Sequence, residues 1–196
     1  MKKYKTILLF GAPGSGKGTQ GRILGTIPNF FHCACGDVFR ALSATSPLAK
    51  IFIEYTSRGQ LVPDKPTIKL WHQFIKNSER IGRFHPKTDV LVLDGIPRNL
   101  AQAEILAATL DVKAVFYLHC PNFNFLVQRL QRRALKENRL DDANLDVIRQ
   151  RLKVYEQETM PVLKFYGPKL VHRIDSTQSP TKVLRDILAR IDKVLL

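Results

Sequence analysis

The stretch TILLFGAPGSGKGT, residues 6–19, determines which kind of fold this chain is expected to have. Residues 6–10 form a short apolar run that ends at a glycine, which is typical of a strand buried on both faces of a parallel sheet. The glycines that follow let successive backbone N–H groups point at an anion, and a helix beginning near Lys17 adds the positive end of its dipole. The stretch therefore predicts a strand, a phosphate-binding loop and a helix, in that order.

This loop departs at one position from the general pattern G-x-x-x-x-G-K-[S/T] of phosphate-binding loops. Gly18 follows Lys17 at the place where a serine or threonine usually binds Mg²⁺. Thr19, one residue later, offers the next hydroxyl and is a second candidate for a magnesium ligand. Chance coincidence of the glycines, the lysine and both flanking elements is improbable, so we interpret the loop as a binding site.

Apolar runs and helical patterns alternate along the rest of the chain. Further strands are expected at residues 30–35, 89–93, 114–119 and 170–174. Helices are expected at residues 19–27, 100–110, 122–136, 142–165 and 181–196. Residues 38–80 have a helical pattern broken by glycine and proline, which predicts three short helices and no strand. The alternation predicts a parallel sheet with helices on both faces and a helical insertion on this core.

The composition excludes several classes of protein. With 196 residues, 44% of them hydrophobic and 24% charged, the chain is typical of one globular domain with a complete core. No apolar run reaches the roughly 18 residues of a membrane helix, and the first apolar run is too short for a signal peptide. Three cysteines without a C-x-x-C pair argue against disulfides and against structural zinc. We therefore expect a cytoplasmic protein with no membrane partner.

The net charge of +14 predicts attraction to phosphate-bearing partners of any kind. Two arginines occur where a second phosphate could be bound: Arg40, on the helical insertion, and Arg98, just after a predicted strand. A guanidinium group is planar and binds a phosphate through two parallel hydrogen bonds. Asp94 ends that same strand, where a carboxylate can organise Mg²⁺ and its waters.

A further group of arginines lies between residues 129 and 151. Arg129 and Arg133 are four residues apart on one predicted helix and share a face. The pattern alone leaves open which of these side chains contact phosphate: Arg132, Arg133, Arg149 and Arg151. A basic face for nucleic acid is the alternative, but aromatic residues are not interleaved and Asp141 and Asp142 interrupt the stretch, so no specific nucleic acid is expected.

In these features the chain resembles the adenylate kinase family of nucleoside monophosphate kinases. The family's loop is G-x-P-G-x-G-K-G-T, so the resemblance accounts for Gly18. It continues at CGDVFR (35–40), GQLVPD (59–64) and DGIPR (94–98), and so covers essentially the whole chain. The resemblance implies a P-loop three-layer αβα fold with a central parallel five-stranded sheet. It also implies a core (1–33, 66–132, 142–196), an insertion that binds the nucleoside monophosphate (about 34–65) and a short lid (about 133–141).

The family's reaction is Mg²⁺·ATP + AMP ⇌ 2 ADP, and the resemblance implies a role for each matching residue. Residues implied in catalysis are Lys17, Arg98, Arg133, Arg139 and Arg151. Those implied to contact ATP are Gly14, Ser15, Gly16, Lys17, Gly18, Thr19, Arg129, Arg133 and Gln178. Those implied to contact AMP are Cys35, Arg40, Gln60, Leu61, Val62, Gly95, Ile96, Pro97, Arg98, Gln102, Arg139 and Arg151. Asp94, acting through water, and Thr19 are the metal candidates.

Three residues bear on which monophosphate is the acceptor. The family's glutamine at the position of Gln102 faces adenine, and its amide can accept from N6 and donate to N1, a pairing that uracil reverses. Cys35 and Asn99 stand where threonine is common, and pyrimidine-directed relatives often have asparagine at the latter position. We expect a monomeric adenylate kinase. The alternatives are a UMP/CMP-type or other nucleoside monophosphate kinase, an RNA-associated P-loop ATPase and a non-catalytic nucleotide-binding module.

Overall fold

A computed structural model describes residues 3–137 and 139–195. Within these residues one parallel sheet has its strands in the order β2-β3-β1-β4-β5. The strands are β1 (Tyr4–Gly11), β2 (Phe30–Ala34), β3 (Val90–Asp94), β4 (Leu110–His119) and β5 (Val171–Asp175). The predicted five-stranded parallel sheet is thus confirmed, and its central strand is the one that leads into the glycine-rich loop.

Helices pack on both faces of this sheet, as predicted for a three-layer α/β fold. The helices are α1 (Lys17–Leu24), α2 (Cys35–Arg40), α3 (Pro47–Ser57), α4 (Asp64–Arg80), α5 (Leu100–Ala107), α6 (Phe123–Glu137), α7 (Leu145–Val154), α8 (Pro161–Tyr166) and α9 (Pro180–Leu195). Among the residues that the structure describes, no helix is both long enough and apolar enough to cross a membrane.

Burial on both faces explains why β1 is apolar at successive positions. Leu8 packs with Trp71 in the core on one face of the sheet. Ile7 packs with Phe116 and Ile187 in the core on the other face. Successive side chains of a strand point to opposite faces, so a strand covered on both sides requires an unbroken apolar run. This position in the middle of the sheet holds the loop after β1 firmly in place.

Helices α2, α3 and α4 lie between β2 and β3, where the sequence predicts three short helices. The expectation of three short helices is wrong for α4, which is 17 residues long. Its buried residues Ile68, Trp71 and Ile75 recur every three or four positions, which keeps one face of the helix on the core. Pro66 does not break it, because the first turn of a helix needs no backbone N–H donor.

Several other differences from the predicted elements concern where helices end. The helix predicted to reach residue 27 ends at Leu24, and the helix predicted to reach residue 110 ends at Ala107 because Leu110 pairs with Tyr4 in the sheet. The helix predicted over residues 142–165 is divided by a π-helical turn, Tyr155–Thr159. Pro161 lacks an N–H donor and prevents a regular α-helical turn there.

Candidate active site

The loop after β1 has the backbone conformation that an anion-binding loop needs. Gly14 and Gly16 have φ angles of +82° and +97°, in the left-handed region that glycine adopts without strain. At Gly14 a side chain is also excluded by space, since a Cβ atom would come within 2.9 Å of the carbonyl oxygen of Leu126. Helix α1 begins at Lys17, directly after the loop. Its first N–H groups and dipole therefore complete a site for phosphate.

The Lys17 ammonium group is held inside this loop. Its Nζ donates hydrogen bonds to the carbonyl oxygens of Gly11 (2.7 Å) and Ala12 (3.0 Å). Burial lowers the pKa of Lys17 to about 8, because the raising effect of Asp94 is opposed by nearby arginines, Arg98 first among them. A bound phosphate would add negative charge beside the ammonium group and favour its protonated form. The electrostatics of the loop therefore favour an anion at this position.

Asp94 lies at the carboxyl end of β3, level with Leu9 of β1 in the sheet register. The residue is buried, and a Cβ atom on Gly18 would lie 3.7 Å from its Oδ2. Its carboxylate therefore faces the start of α1, where Thr19 is exposed. A single carboxylate beside phosphate oxygens and water is an oxygen environment that suits Mg²⁺. Among the described residues, no three His, Cys, Asp or Glu side chains form a metal-binding group of their own.

One large cleft at the carboxyl edge of the sheet brings nearly all the predicted site residues together. From the predicted ATP set it is lined by Gly14, Ser15, Gly16, Lys17, Gly18, Thr19, Arg129, Arg133 and Gln178. From the predicted AMP set it is lined by Cys35, Arg40, Gln60, Leu61, Val62, Gly95, Pro97, Arg98, Gln102, Arg139 and Arg151. The exception is Ile96, whose side chain is 1% exposed and packs in the core. Its contact with substrate remains a prediction.

Arg98 and Arg40 approach the cleft from different elements. Arg98 follows β3, and its Nε donates to the carbonyl oxygen of Gly95 at 2.8 Å. Arg40 ends α2, where its Nη1 bonds to Asp37 at 2.9 Å and its guanidinium lies 5.5 Å from the ring centroid of Phe52. A guanidinium group has five N–H donors, so each of these arginines can bind a further acceptor in the cleft.

Two further arginines are held by one buried carboxylate. Asp142, with no exposed surface, accepts from Arg133 Nε at 2.6 Å and from Arg151 Nη1. Arg151 also pairs with Asp141 at 2.8 Å. Burial tends to raise the pKa of Asp141, but Arg151 and then Arg40 outweigh it, so the pKa is below its usual value. Both arginines are thereby fixed in orientation before any ligand arrives.

Arg139 connects the short segment after α6 to the helical insertion. Its Nε donates to Glu137 at 2.8 Å, and its Nη2 lies 3.4 Å from Oδ1 of Asp37 in α2. Arg40 makes the reciprocal contact, 3.6 Å from Asp141. The two sides of the cleft therefore meet through ion pairs above the phosphate loop.

The structure distinguishes between the arginines of α6 and α7 whose positions relative to the cleft the sequence pattern left open. Arg149 is 65% exposed, pairs with Asp146 and does not line the cleft. Arg151, two residues later on the same helix, is 16% exposed and lines it. Arg132 lies at the cleft but is exposed, whereas Arg133 is held by Asp142.

Arg129, on α6, and Gln178, in the loop between β5 and α9, reach the edge of the cleft. Arg129 packs 4.2 Å from the ring centroid of Phe125 and donates to the carbonyl oxygen of Ser176 at 2.9 Å. Gln178 donates to Asp186 at 2.7 Å. Both side chains are thus engaged with neighbouring protein groups beside the loop.

On the insertion side, Cys35 and Gln102 are buried. Burial raises the pKa of Cys35 to about 12, so its thiol stays protonated and offers only a weak hydrogen bond. Gln102 is 1% exposed, and both ends of its amide already have a protein partner: its Oε1 accepts from the backbone N–H of Arg98, and its Nε2 donates to Asp64.

Three residues around the cleft had no assigned role in the sequence analysis: Asp142, Thr159 and Asp64. Thr159, in the π-helical turn, donates its hydroxyl to the carbonyl oxygen of Arg98 at 2.7 Å. The only signal for Asp142 was an acidic pair among arginines, and Asp64 lies within the quoted GQLVPD motif. Their partners are distant in sequence, so periodicity could not identify them.

A phosphate-binding loop at the carboxyl edge of a parallel α/β sheet defines the P-loop class of proteins, and this chain has that arrangement. The model of a family described as adenylate kinase matches residues 9–171. An adenylate kinase of a Cyanothece species is 37% identical over 195 residues, covering 96% of this chain and 95% of the relative. One from Thermobifida fusca is 38% identical over 176 residues, covering 87% and 89%. The chain belongs to the adenylate kinase family.

Proposed function

We propose that this protein transfers the γ-phosphoryl group of ATP to AMP, reversibly and with Mg²⁺, to give two molecules of ADP. The observation that carries the proposal is the convergence of Lys17 with Arg98, Arg133 and Arg151 on one cleft. These residues come from four elements or loops, and a single bound phosphate chain would not require them all. Two phosphate groups that face each other would.

The arrangement suits phosphoryl transfer without a general base. The attacking group is already a phosphate oxygen. Catalysis therefore needs alignment of the two substrates and neutralisation of the charge on the phosphoryl group that is transferred. Arg133 and Arg151 are held rigidly by Asp142, and rigid, pre-oriented charges stabilise a transition state without reorganisation. We assign the catalytic roles to Lys17, Arg98, Arg133, Arg139 and Arg151.

We further propose that ATP lies along the phosphate loop and that AMP lies between the insertion and Arg98. Mg²⁺ would be held by the nucleotide phosphates and, through water, by Asp94, with Thr19 as a second candidate, and it would screen charge on the phosphates. The insertion (about 34–65) and the lid (about 133–141) would exclude water from the reaction. The ion pairs of Arg139 with Asp37 and of Arg40 with Asp141 support such closure.

The direct test is an acceptor panel with purified protein. ATP is supplied with AMP, CMP, UMP or GMP, with and without Mg²⁺, and diphosphate formation is measured. We expect the highest kcat/KM for AMP and dependence on Mg²⁺. A higher value for CMP or UMP would identify a pyrimidine kinase instead. An analogue that links two adenosines through five phosphates is expected to bind tightly and occupy both halves of the cleft.

A matched pair of variants on α7 tests the assigned machinery. Arg151→Ala is expected to lower kcat/KM at least about a hundredfold, because a group aimed at transition-state charge is lost. Arg149→Ala removes the same side chain two residues away, outside the cleft, and is expected to leave kcat/KM within about twofold. Equal effects of the two substitutions would contradict the assignment of Arg151.

A further inference from the structure

We propose that Asp64 is a specificity-determining residue: it locks the amide of Gln102 in the one orientation that matches a nucleobase with an amino group, as in adenine, and opposes a base with a carbonyl at that place. This inference rests on the proposed function, in which Gln102 faces the acceptor base. Asp64 does not touch the base itself and acts by positioning Gln102.

The hydrogen bonds around Gln102 determine which end of its amide is which. Its Oε1 accepts from the backbone N–H of Arg98 at 2.8 Å, and its Nε2 donates to Oδ1 of Asp64 at 2.7 Å. A backbone N–H can only donate, and an ionised carboxylate can only accept. Rotating the amide by 180° would place donor against donor and acceptor against acceptor. The two partners therefore exclude the flipped orientation.

Asn99 reinforces the same arrangement. Its Nδ2 donates to the same Oδ1 of Asp64 at 3.0 Å, while its Oδ1 accepts from the backbone N–H of Gln102 at 2.9 Å and so caps α5. The amide of Asn99 is thus oriented by the same rule, with one partner that only donates and one that only accepts. Asp64, at the first position of α4, joins the insertion to the loop after β3 through both amides.

The locked amide retains one hydrogen-bonding position at each end. An amide oxygen has two acceptor sites and an amide nitrogen has two protons, and the protein uses one of each. Gln102 lines the cleft, so the remaining acceptor and donor are the ones available to a base. Adenine offers an amino donor next to a ring-nitrogen acceptor, which complements them. Hypoxanthine offers a carbonyl acceptor next to a ring N–H donor, which opposes both.

The same rule applies to a smaller base. Cytosine has the amino group and ring acceptor in the favourable order, and uracil has the reverse. AMP against IMP, and CMP against UMP, are therefore matched pairs that differ in hydrogen-bonding order and hardly in size. Because the N–H of Arg98 and an oxygen of Asp64 fix Gln102 in one orientation, the selection is expected to act against both keto members.

The test compares kcat/KM for AMP and IMP, and for CMP and UMP, in three proteins. For the wild type we expect AMP to exceed IMP at least about a hundredfold, since a mismatched base leaves buried polar groups unpaired. Asp64→Leu removes the acceptor, and the AMP:IMP ratio is expected to fall at least about tenfold. Asp64→Asn keeps an oxygen that can accept both bonds, and its ratio is expected to stay within about threefold of the wild type.

The ratio separates positioning from mere structural support. Damage to folding would lower the rates for AMP and IMP together and leave their ratio unchanged, and Asp146→Leu, the same change in an exposed first-turn residue of α7, controls for general effects. An unchanged ratio in folded Asp64→Leu, or a wild type that accepts IMP as well as AMP, would overturn the inference. Transfer to no monophosphate at all would instead overturn the proposed function.

A measurement on the wild type keeps the inference testable if Asp64→Leu does not fold. The side-chain amide proton of Gln102 that bonds to Asp64 is expected to be protected from hydrogen exchange, and the proton left for the base is expected to exchange faster. Asp64→Ala, which removes the acceptor with a smaller side chain, serves as the second variant. Fast exchange of both Gln102 amide protons in the wild type would contradict the lock.

Discussion

At the scale of single residues, the protonation of Lys17 is coupled to the binding of an anion in the loop. Burial removes water from its ammonium group and several arginines lie nearby, so its pKa falls from 10.5 to about 8. The protonated form therefore predominates at neutral pH and is lost as the pH rises through about 8. Cys35, by contrast, has its pKa raised to about 12 by burial and stays neutral.

The lowered pKa of Lys17 predicts pH-dependent binding of ATP. Phosphate oxygens favour the charged ammonium, so the pKa rises on binding and a proton is taken up when ATP binds above pH 8. The affinity is expected to fall about fivefold between roughly pH 8 and pH 9, as calculated for one such proton. Isothermal titration in buffers of different ionisation enthalpy measures both the affinity and the proton.

The variant Lys17→Met supplies the control for this pH dependence. It removes the titrating group, so the decline of affinity above pH 8 is expected to disappear along with most of the binding. In the free protein the unfolded chain binds more protons than the folded one between pH 8 and pH 10.5, so this group makes stability rise with pH in that window. An ATP affinity that stays constant up to pH 9 in the wild type would show that Lys17 is already charged there.

At the scale of elements, the π-helical turn Tyr155–Thr159 connects the helical region after α7 to the loop that carries Arg98. One extra residue in a turn changes which side chains face inward, and such turns are frequent at functional sites. Here the turn places Thr159 where its hydroxyl donates to the carbonyl oxygen of Arg98. Pro161 ends the turn by starting α8. The element is thus connected directly to an arginine that we assign to catalysis.

Thr159→Val is expected to lower kcat/KM for AMP about fivefold, because one hydrogen bond that orients the Arg98 loop is lost while the side-chain volume is kept. The KM for ATP is expected to stay unchanged, and Thr159→Ser is expected to restore the rate. Ser78→Ala serves as control, since the Ser78 hydroxyl donates within its own helix, to the carbonyl oxygen of Phe74. Steady-state kinetics with each substrate varied in turn gives the answer; a change in ATP KM alone would disprove the connection.

At the scale of the whole molecule, the charge distribution separates two kinds of arginine. The net charge is +14, yet four arginines of the cleft are paired with Asp37, Glu137, Asp141 and Asp142: Arg40, Arg133, Arg139 and Arg151. Arg149, on the same helix as Arg151, faces away and is largely exposed. The carboxylates therefore hold these basic side chains in place. The molecule still has excess positive charge, which is expected to attract nucleotides.

Removing the central carboxylate tests this interpretation. Asp142→Ala is expected to lower the free energy of unfolding by about 2 kcal/mol, less than for a fully buried pair because Arg133 and Arg151 keep some contact with water. Polyphosphate can replace the lost counter-charge, so the loss is expected to shrink when ADP is bound. Urea denaturation with and without ADP measures both values. Asp146→Ala, at an exposed ion pair, is the control and is expected to have little effect; a stability equal to the wild type in Asp142→Ala would contradict the interpretation.

The sequence by itself determined the class of fold and the phosphate loop, because both depend on local patterns. A doubly buried strand requires successive apolar residues, and a backbone that surrounds phosphate requires glycine at Gly14 and Gly16. Tertiary structure decided where elements end: Leu110 pairs with Tyr4 in the sheet and so leaves the helix that its neighbours favour. Strand pairing of that kind depends on residues far apart in the chain.

Only the tertiary structure decided which charged side chains face one another. The spacing of Arg149 and Arg151 does not distinguish them, but the carboxylate of Asp142 lies beside one and not the other. Ile96 lies in the DGIPR motif, which was predicted to contact AMP, and yet packs in the core. The contacts of Asp64 with Gln102 likewise join residues that are 38 positions apart. Such pairs form because folding brings distant groups within a few ångströms, and no local pattern of residues encodes that distance.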